Sequence, residues 1–579
     1  MSPRLSHTAR PIPAMILALF WTLFWALSWA PVWAGAAAGP GGAPATLAQG
    51  LAGRLQARSV GAAAGLHWDE LEAFYRARDF RPAWIAQGRP DANAVALRTV
   101  LLDARAEGLD PEDYLPDAIA REWRLRSPSS LIRLELLLSE AFLRYSVDLS
   151  VGHLPPAMVD PDWHIQPPSV DPVALLRRCL DAADFASALR ALAPPHAGYR
   201  RLRAALARYR HIAAAGGWPR IPPGPTLRRG QTGPGVAALR ERLAAAGDLS
   251  PLPSRHARRF DQALEFAVER FQVRHGLAMD GVVGPDTRAA LNVPVARRIT
   301  QIELNMQRWR WLPRHLGRRY LMVNTAGFEL TAYRREQPQL SMRAVVGRIE
   351  RRTPVVSGAL HTIVLNPTWT VPPTIAFEDF IPAQIASPGF LRAHRIQVLA
   401  NSLAGEPIDP AAIDWRHIEP NYFPYILRQA PGPSNPLGRI KFLFSNAFDI
   451  YLHDTPRRWL FARRQRTFSS GCIRLEHPLR LAQWVMNGKG DWTRKAVAAA
   501  IATGETRSLS PPQSIPVYVV YWTAWVGEHG GLHFHDDVYD RDCALADCGA
   551  PGRAPAPQSG AKAHPERDSG GSGPGRPNL

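Results

Sequence analysis

Cysteine is scarce in this chain, with four in 579 residues. So few cannot staple a chain of this length, which excludes a disulfide scaffold and leaves each cysteine to be explained separately. Lysine is equally rare, at Lys441, Lys489, Lys495 and Lys562 only, although the formal charge is +19 and the isoelectric point about 10.4. The positive excess is therefore arginine, scattered rather than gathered beside a recognition motif, which argues against nucleic acid as a partner.

One long apolar run is present. Arg4 and Arg10 precede the stretch Ala14 to Ala30, and Val32-Trp33-Ala34 before Gly35 reads as small-x-small cleavage. Residues 1–34 are expected to be a signal peptide or, because the run approaches bilayer length, an uncleaved anchor over residues 14–30. Both readings put the remaining chain outside the inner membrane, in the periplasm or cell envelope.

A hydrophobic content of 46% over this length supports about three or four domain cores. Residues 35–64 read as a Gly/Ala/Pro linker. "HWDELEAFYRARDFRPAWI" and "SSLIRLELLLSEAFLRYSVDLSVG" show helical apolar spacing, so residues 65–220 are expected to form a helical scaffold domain. Cys179, in "LLRRCLDAA", is expected to be a small buried hydrophobe. Beyond the break "GPTLRRGQTGP", Val236, Leu239 and Leu243 share one helix face and Leu264, Val268 and Phe271 another. The Asp280-Gly281 turn and a short helix through Thr287, Ala290 and Leu291 complete a three-helix module over residues 225–295. From about residue 319 the texture becomes β-rich, in "RYLMVNTAGFELTAY", "MRAVVGR", "HTIVLNPTWTV", "IKFLF" and "SIPVYVVYWTAWV". Residues 296–540 are thus a mainly-β domain, interrupted at about 374–436 by a stretch too long for an ordinary connection, a candidate insertion or lid. Residues 549–579 are expected to be disordered. The fold class is multidomain α+β.

Strand alternation in "FDIYLHDT" puts Ile450 and Leu452 on one face and Tyr451 and His453 on the other. Nineteen residues further on stands Cys472, in "SSGCIRLE". The basic segment between them is long enough to return the chain beside the strand. A neighbouring imidazolium or other cation lowers a thiol pKa from about 8.5, making thiolate available near neutral pH. Gly471 removes side-chain bulk where a carbonyl would approach, Arg474 falls on the Cys472 side of an extended segment, and backbone N–H groups around Gly471 and Cys472 could hold an oxyanion. No group orienting His453 can be named, since the adjacent Asp454 points the other way.

Two resemblances sharpen this. "RGQTGPGVAALRERLAAAG" with "AVERFQVRHGLAMDGVVGPDTRAALN" resembles the type 1 peptidoglycan-binding module. "IYLHDTP…LF…R…SSGCIRLEHP" resembles the catalytic motif of the L,D-transpeptidases of the YkuD type, and "NPTWTVPPTI", "RQAPGPSNPLGRIKF" and "YWTAWV" are similar to their large multidomain branch. Many members have His immediately before the Gly, where this chain has Ser470 and resembles that large branch. The resemblance implies Cys472 as nucleophile, His453 as general base, Gly471, Ser470 and Arg474 around the oxyanion and substrate, and Tyr451 and Trp369 lining the pocket. It implies peptidoglycan stem peptides as donor and acceptor, other wall-synthesis enzymes as further partners, a thioester intermediate, 3→3 cross-links and no cofactor or metal. Hydrolysis of the same thioester, an L,D-carboxypeptidase activity, and a non-catalytic wall-binding scaffold are the alternatives. Zinc, at Cys472 and His477 or at His533, His535, Cys543 and Cys548, is a rival reading, although the cysteine spacing of the second set is not a recognised zinc pattern; the order His before Cys fits papain-like chemistry poorly.

Overall fold

The computed structural model describes residues 42–58, 65–250, 257–419, 423–486, 492–527 and 530–548. The expected signal peptide or anchor, part of the linker and the C-terminal tail lie outside them. Among the described residues no helix is long and apolar enough to cross a membrane.

The linker expectation is corrected first. Gly42–Ala57 is a helix, α1. Its Leu51 and Leu55, one turn apart, are buried in the scaffold core, and Gly50 lets it approach closely, since a Cβ there would overlap Ile132. The Ala/Gly composition hid a leucine stripe. Behind it come α2 (Trp68–Arg76), a hairpin of β1 (Ile85–Ala86) and β2 (Arg89–Pro90), α3 (Ala92–Leu102), α4 (Pro116–Trp123) and the central α5 (Pro128–Val151). Asp91 and Ser127 cap α3 and α5 by accepting from the N3 amides. Short helices α6 (Pro156–Val159), α7 (Pro172–Leu180) and α8 (Phe185–Arg190) follow, and Cys179 of α7 is fully buried as expected. The next helix, α9 (Ala197–Ala214), buries Tyr199, Leu202 and Leu206 in the core of the C-terminal domain instead.

The module consists of α10 (Pro234–Ala245), α11 (Gln262–Arg274) and α12 (Pro285–Leu291). Its core holds the apolar residues read from the sequence. Gln272 explains its sequence signature: the side-chain amide donates to Asp280 Oδ1, Val282 O and Thr287 Oγ1, while its oxygen accepts from the Asp280 and Gly281 amides. One buried glutamine thus ties the Asp-Gly turn to α12.

Helix α13 (Val295–Arg310) leads into the sheet: β3 (Arg319–Asn324), β4 (Glu329–Arg334), β5 (Gln337–Gly347) and β6 (Val356–Leu365). An insertion follows, with β7 (Trp369–Thr370), short helices α14 (Pro373–Ile375), α15 (Ile381–Ala386) and α16 (Phe390–Ala393), then β8 (Ile396–Ala400), β9 (Pro407–Ile408) and β10 (Tyr425–Gln429). These strands form their own four-stranded sheet over their own core around Phe380, Leu391 and Trp415. The lapse of strand signal reflects short strands rather than lack of structure.

The main sheet resumes with β11 (Ile440–Phe444), β12 (Leu452–His453), β13 (Thr467–Ser469), β14 (Ile473–Leu475), β15 (Arg507–Leu509) and β16 (Ile515–Val520). Helices α17 (Pro478–Met486) and α18 (Arg494–Ala502) cover one face, and β17 (Ala524–Val526), β18 (Leu532–Phe534) and α19 (Arg541–Cys548) complete the described chain. The order β11-β12-β14-β5-β4-β3-β16-β6 closes on itself because β11 also pairs with β6. Alternation places Leu321 and Val323 in the core under α17, and Tyr320 and Met322 in the core under α9 and α13. Both faces are covered, which is why these strands read as continuous apolar runs.

Candidate functional site

Strand β12 is only two residues long, yet it sets the site. It pairs antiparallel with β11, placing Lys441 opposite His453, and parallel with β14, placing His453 opposite Arg474. Paired side chains share a sheet face, so Lys441, His453 and Arg474 point to one side, with Tyr451 two residues before His453 and Cys472 two before Arg474 on the same side. The expected alternation is present: Ile450 and Leu452 are in the core, whereas the Tyr451 and His453 rings meet edge to face with centroids 5.7 Å apart.

His453 is buried, and its Nδ1 lies 2.6 Å from the main-chain carbonyl of Asp454. A carbonyl only accepts, so Nδ1 carries the proton and Nε2 keeps its lone pair. This is the orienting group that the sequence did not reveal. Asp454 supplies it through its backbone, while its carboxylate accepts from Arg439 N and Arg458 on the other side. Burial first, then the charges of Arg474 and Lys441, push the imidazole pKa down to about 3. His453 is a neutral base, not an imidazolium.

The Cys472 thiol points at the Asp449 carbonyl, 3.8 Å away, and shares a side-chain hydrogen bond with Tyr451. Burial raises its pKa, while Tyr451, Lys441 and Arg474 pull it down. Burial prevails, so the expectation of a thiolate made available by a neighbouring imidazolium is corrected: the resting pair is neutral thiol and neutral imidazole. The charged neighbours are Lys441 and Arg474. Lys441 was noted in the sequence only for its rarity; the signal that could have found it is its place in the strand next to the histidine strand. Its ammonium sits 3.8 Å over the Tyr451 ring.

Gly471 has φ +107, a conformation costly for any residue with a Cβ, and such an atom would also press on Ile450 Cδ1 at 3.3 Å. Backbone geometry, not clearance for substrate, requires this glycine. The Gly471 N–H is given to the Ser469 hydroxyl at 3.2 Å, so it is committed within the turn rather than offered to an oxyanion. Ser470 is exposed and accepts from Arg351 at 3.1 Å. Arg351 also holds Glu378 and Asp379 of the insertion. Ser470 therefore links the turn to the insertion instead of lining the pocket.

Beside the cysteine face lies a cavity of about 740 Å³ between the insertion and the main sheet, with Trp369, Gln429, Thr455, Arg457 and Arg474 in its walls. Trp369, in the cavity wall, also packs edge to face on Phe380, and its indole hydrogen-bonds the Tyr451 side chain. Arg474 is buried with Nε unpartnered among the described residues, and burial, then repulsion from Arg457, lowers its pKa to about 10. The cavity offers a desolvated guanidinium to an anion. Of the zinc alternatives, His533 and His535 lie against the Trp525 ring, and Cys543 is a free, exposed thiol.

A buried neutral histidine thus shares a sheet face with a cysteine, the two residue types that nucleophilic acyl transfer uses. The family comparison names the class of domain: residues 318–506 match the L,D-transpeptidase catalytic domain, residues 232–291 the "Putative peptidoglycan binding domain" and residues 69–206 a scaffold domain. Residues 318–506 thus carry an L,D-transpeptidase catalytic domain, joined in one chain to these two modules. It is similar to a curated Haemophilus influenzae protein named "Putative L,D-transpeptidase", with 39% identity over 253 residues, 43% of this chain and 50% of the relative. The match thus spans about half of that relative's length. Among solved structures, an L,D-transpeptidase from Xylanimonas cellulosilytica is 17% identical over 52% of this chain and all of its own, with a TM-score of 0.18. L,D-transpeptidase 1 of Mycobacterium tuberculosis is 13% identical over 35% of this chain and 61% of its own, with a TM-score of 0.14. Scores this low add nothing to the assignment, which rests on the sequence matches.

Proposed function

We propose that this chain is an exported peptidoglycan L,D-transpeptidase that forms 3→3 cross-links through a thioester on Cys472. The observation that carries the reading is the His453 tautomer: Nδ1–H fixed on the Asp454 carbonyl leaves Nε2 as a base on the face that Cys472 shares. His453 Nε2 takes the thiol proton as sulfur attacks the carbonyl of the third, L-centred stem residue. The C–N bond to the terminal D-alanine breaks, and the same proton passes to its departing amine. A side-chain amine of a second stem then attacks the thioester, gives a proton to His453 and restores the thiol. Lys441 and Arg474 offset the charge on sulfur, and the cavity beside Arg474 suits a carboxylate of the stem. The module over residues 232–291 would hold the enzyme on its polymeric substrate.

Incubating purified protein with tetrapeptide muropeptides and following masses tests this. Cross-linked dimers lacking one D-alanine are expected, and a Cys472→Ala variant should form none. Tripeptide alone would identify an L,D-carboxypeptidase, and unchanged substrate would overturn the enzymatic reading.

A further inference from the structure

The scaffold segment Asp160–His164 leaves its own domain and lies against the catalytic one. His164 N donates to Val355 O, and Val355 N donates to Asp162 O, both at 2.8 Å, a parallel bridge between distant parts of the chain. The Asp162 carboxylate accepts from Arg541 Nη2 at 2.8 Å, and Asp160 pairs with Arg541 Nε at 3.3 Å. Arg541 is buried against the Tyr521 and Tyr539 rings and reaches the Thr353 carbonyl at 3.4 Å.

Thr353 is fully buried, and its hydroxyl does two things. It accepts from Gly347 N at 2.8 Å and donates to Gly471 O, also at 2.8 Å. Gly471 is the positive-φ residue whose conformation sets the direction of Cys472. On the other flank, the His164 ring packs on Phe448 with centroids 4.2 Å apart, and the next residue, Asp449, supplies the carbonyl that faces the thiol. The scaffold segment therefore reaches the turns on both sides of Cys472.

We propose that the helical scaffold is a positioning element for the nucleophile: Asp160 and Asp162 hold Arg541, Arg541 and Val355 fix Thr353, and the Thr353 hydroxyl holds the Gly471 carbonyl that aims Cys472. Thr353 is a positioning residue, acting through Gly471. This rests on the reading of Cys472 as nucleophile. A valine at 353 keeps the shape but deletes both the donor to Gly471 O and the acceptor of Gly347 N, and misplacement by about 1 Å can cost up to about a hundredfold in rate.

The test uses the full chain as wild type, Thr353→Val, Thr353→Ser and Asp162→Asn, with thermal unfolding as a check of folding. Turnover of tetrapeptide and the rate of Cys472 alkylation by iodoacetamide are measured for each. Thr353→Val is expected to lower kcat by about ten- to a hundredfold with KM little changed and to alter the alkylation rate. Thr353→Ser should restore both, and Asp162→Asn should shift both in the direction of Thr353→Val. A folded Thr353→Val protein matching wild type in kcat and alkylation overturns the brace, as does failure of serine to rescue. If wild type itself leaves tetrapeptide intact, the functional reading fails, and the alkylation rates alone still decide the brace.

Discussion

At the residue scale, the resting site separates charge from base. His453 is neutral well below pH 6.5, and the fixed positive charge around the thiol comes from Lys441 and Arg474. The acid side of the kcat/KM profile should therefore show no limb near pH 6.5, because the imidazole titrates at about 3. On the alkaline side activity should fall as the thiol, whose proton the departing amine receives through His453, ionises. Removing the Lys441 charge as Lys441→Met should move the alkylation midpoint of Cys472 up and slow the reaction at neutral pH, because a cation that favours the thiolate is gone. The pH dependence of iodoacetamide alkylation checks this, and an unmoved midpoint would leave Arg474 as the cation that matters.

At the scale of elements, two ties stand out. Arg351, with a side chain only 10% exposed, holds Glu378 and Asp379 of the insertion while donating to Ser470 of the turn before Cys472. Charge-assisted bonds of this kind are stronger than neutral ones, and losing about 1.4 kcal/mol makes local opening tenfold more frequent. Arg351→Ala should accordingly speed limited proteolysis within residues 374–436 about tenfold, with the first cleavage located by mass spectrometry. In the module, Gln272→Ala would strand the buried Gly281 amide and remove the bonds that Asp280, Val282 and Thr287 make to α11, leaving the Asp280 amide only the Ala278 carbonyl. A cost of about 2–3 kcal/mol is expected, seen as a lowered midpoint in urea.

At the scale of the molecule, the peptidoglycan-binding module is docked against the catalytic domain by two arginines of different weight. Arg464, from the segment between His453 and Cys472, reaches Gly276 O, Asp286 and Asp536, each at 3.0 Å. Its carboxylate partners are 77% and 74% exposed, so solvent screens these pairs, and Arg464→Ala should cost less than about 1 kcal/mol. Arg274 donates to Leu532 O at 2.7 Å and pairs with Asp248, and both partners of that pair are largely buried. Arg274→Ala leaves the Asp248 carboxylate without its cation, and a loss of about 3–5 kcal/mol is expected. Urea unfolding of the two variants side by side distinguishes the cases.

The sequence by itself determined the elements that repeat a pattern: the apolar stripes of α5, α10 and α11, the doubly buried strands β3 and β16, and the facing of Tyr451 with His453, all set by local periodicity. It also singled out Cys472 and His453 through their motif. Periodicity could not show α1, whose leucines are diluted by alanine and glycine, nor the short strands of the insertion. Only the tertiary structure decided what depends on strand order and long-range pairing. It brought Lys441 opposite His453, fixed the imidazole on a backbone carbonyl rather than a side chain, turned Ser470 toward Arg351, and bound Gly471 to Thr353. The reason is physical: a side-chain period reports which face a residue takes, whereas charge, tautomer and aim depend on neighbours that the chain brings together only by closing the sheet.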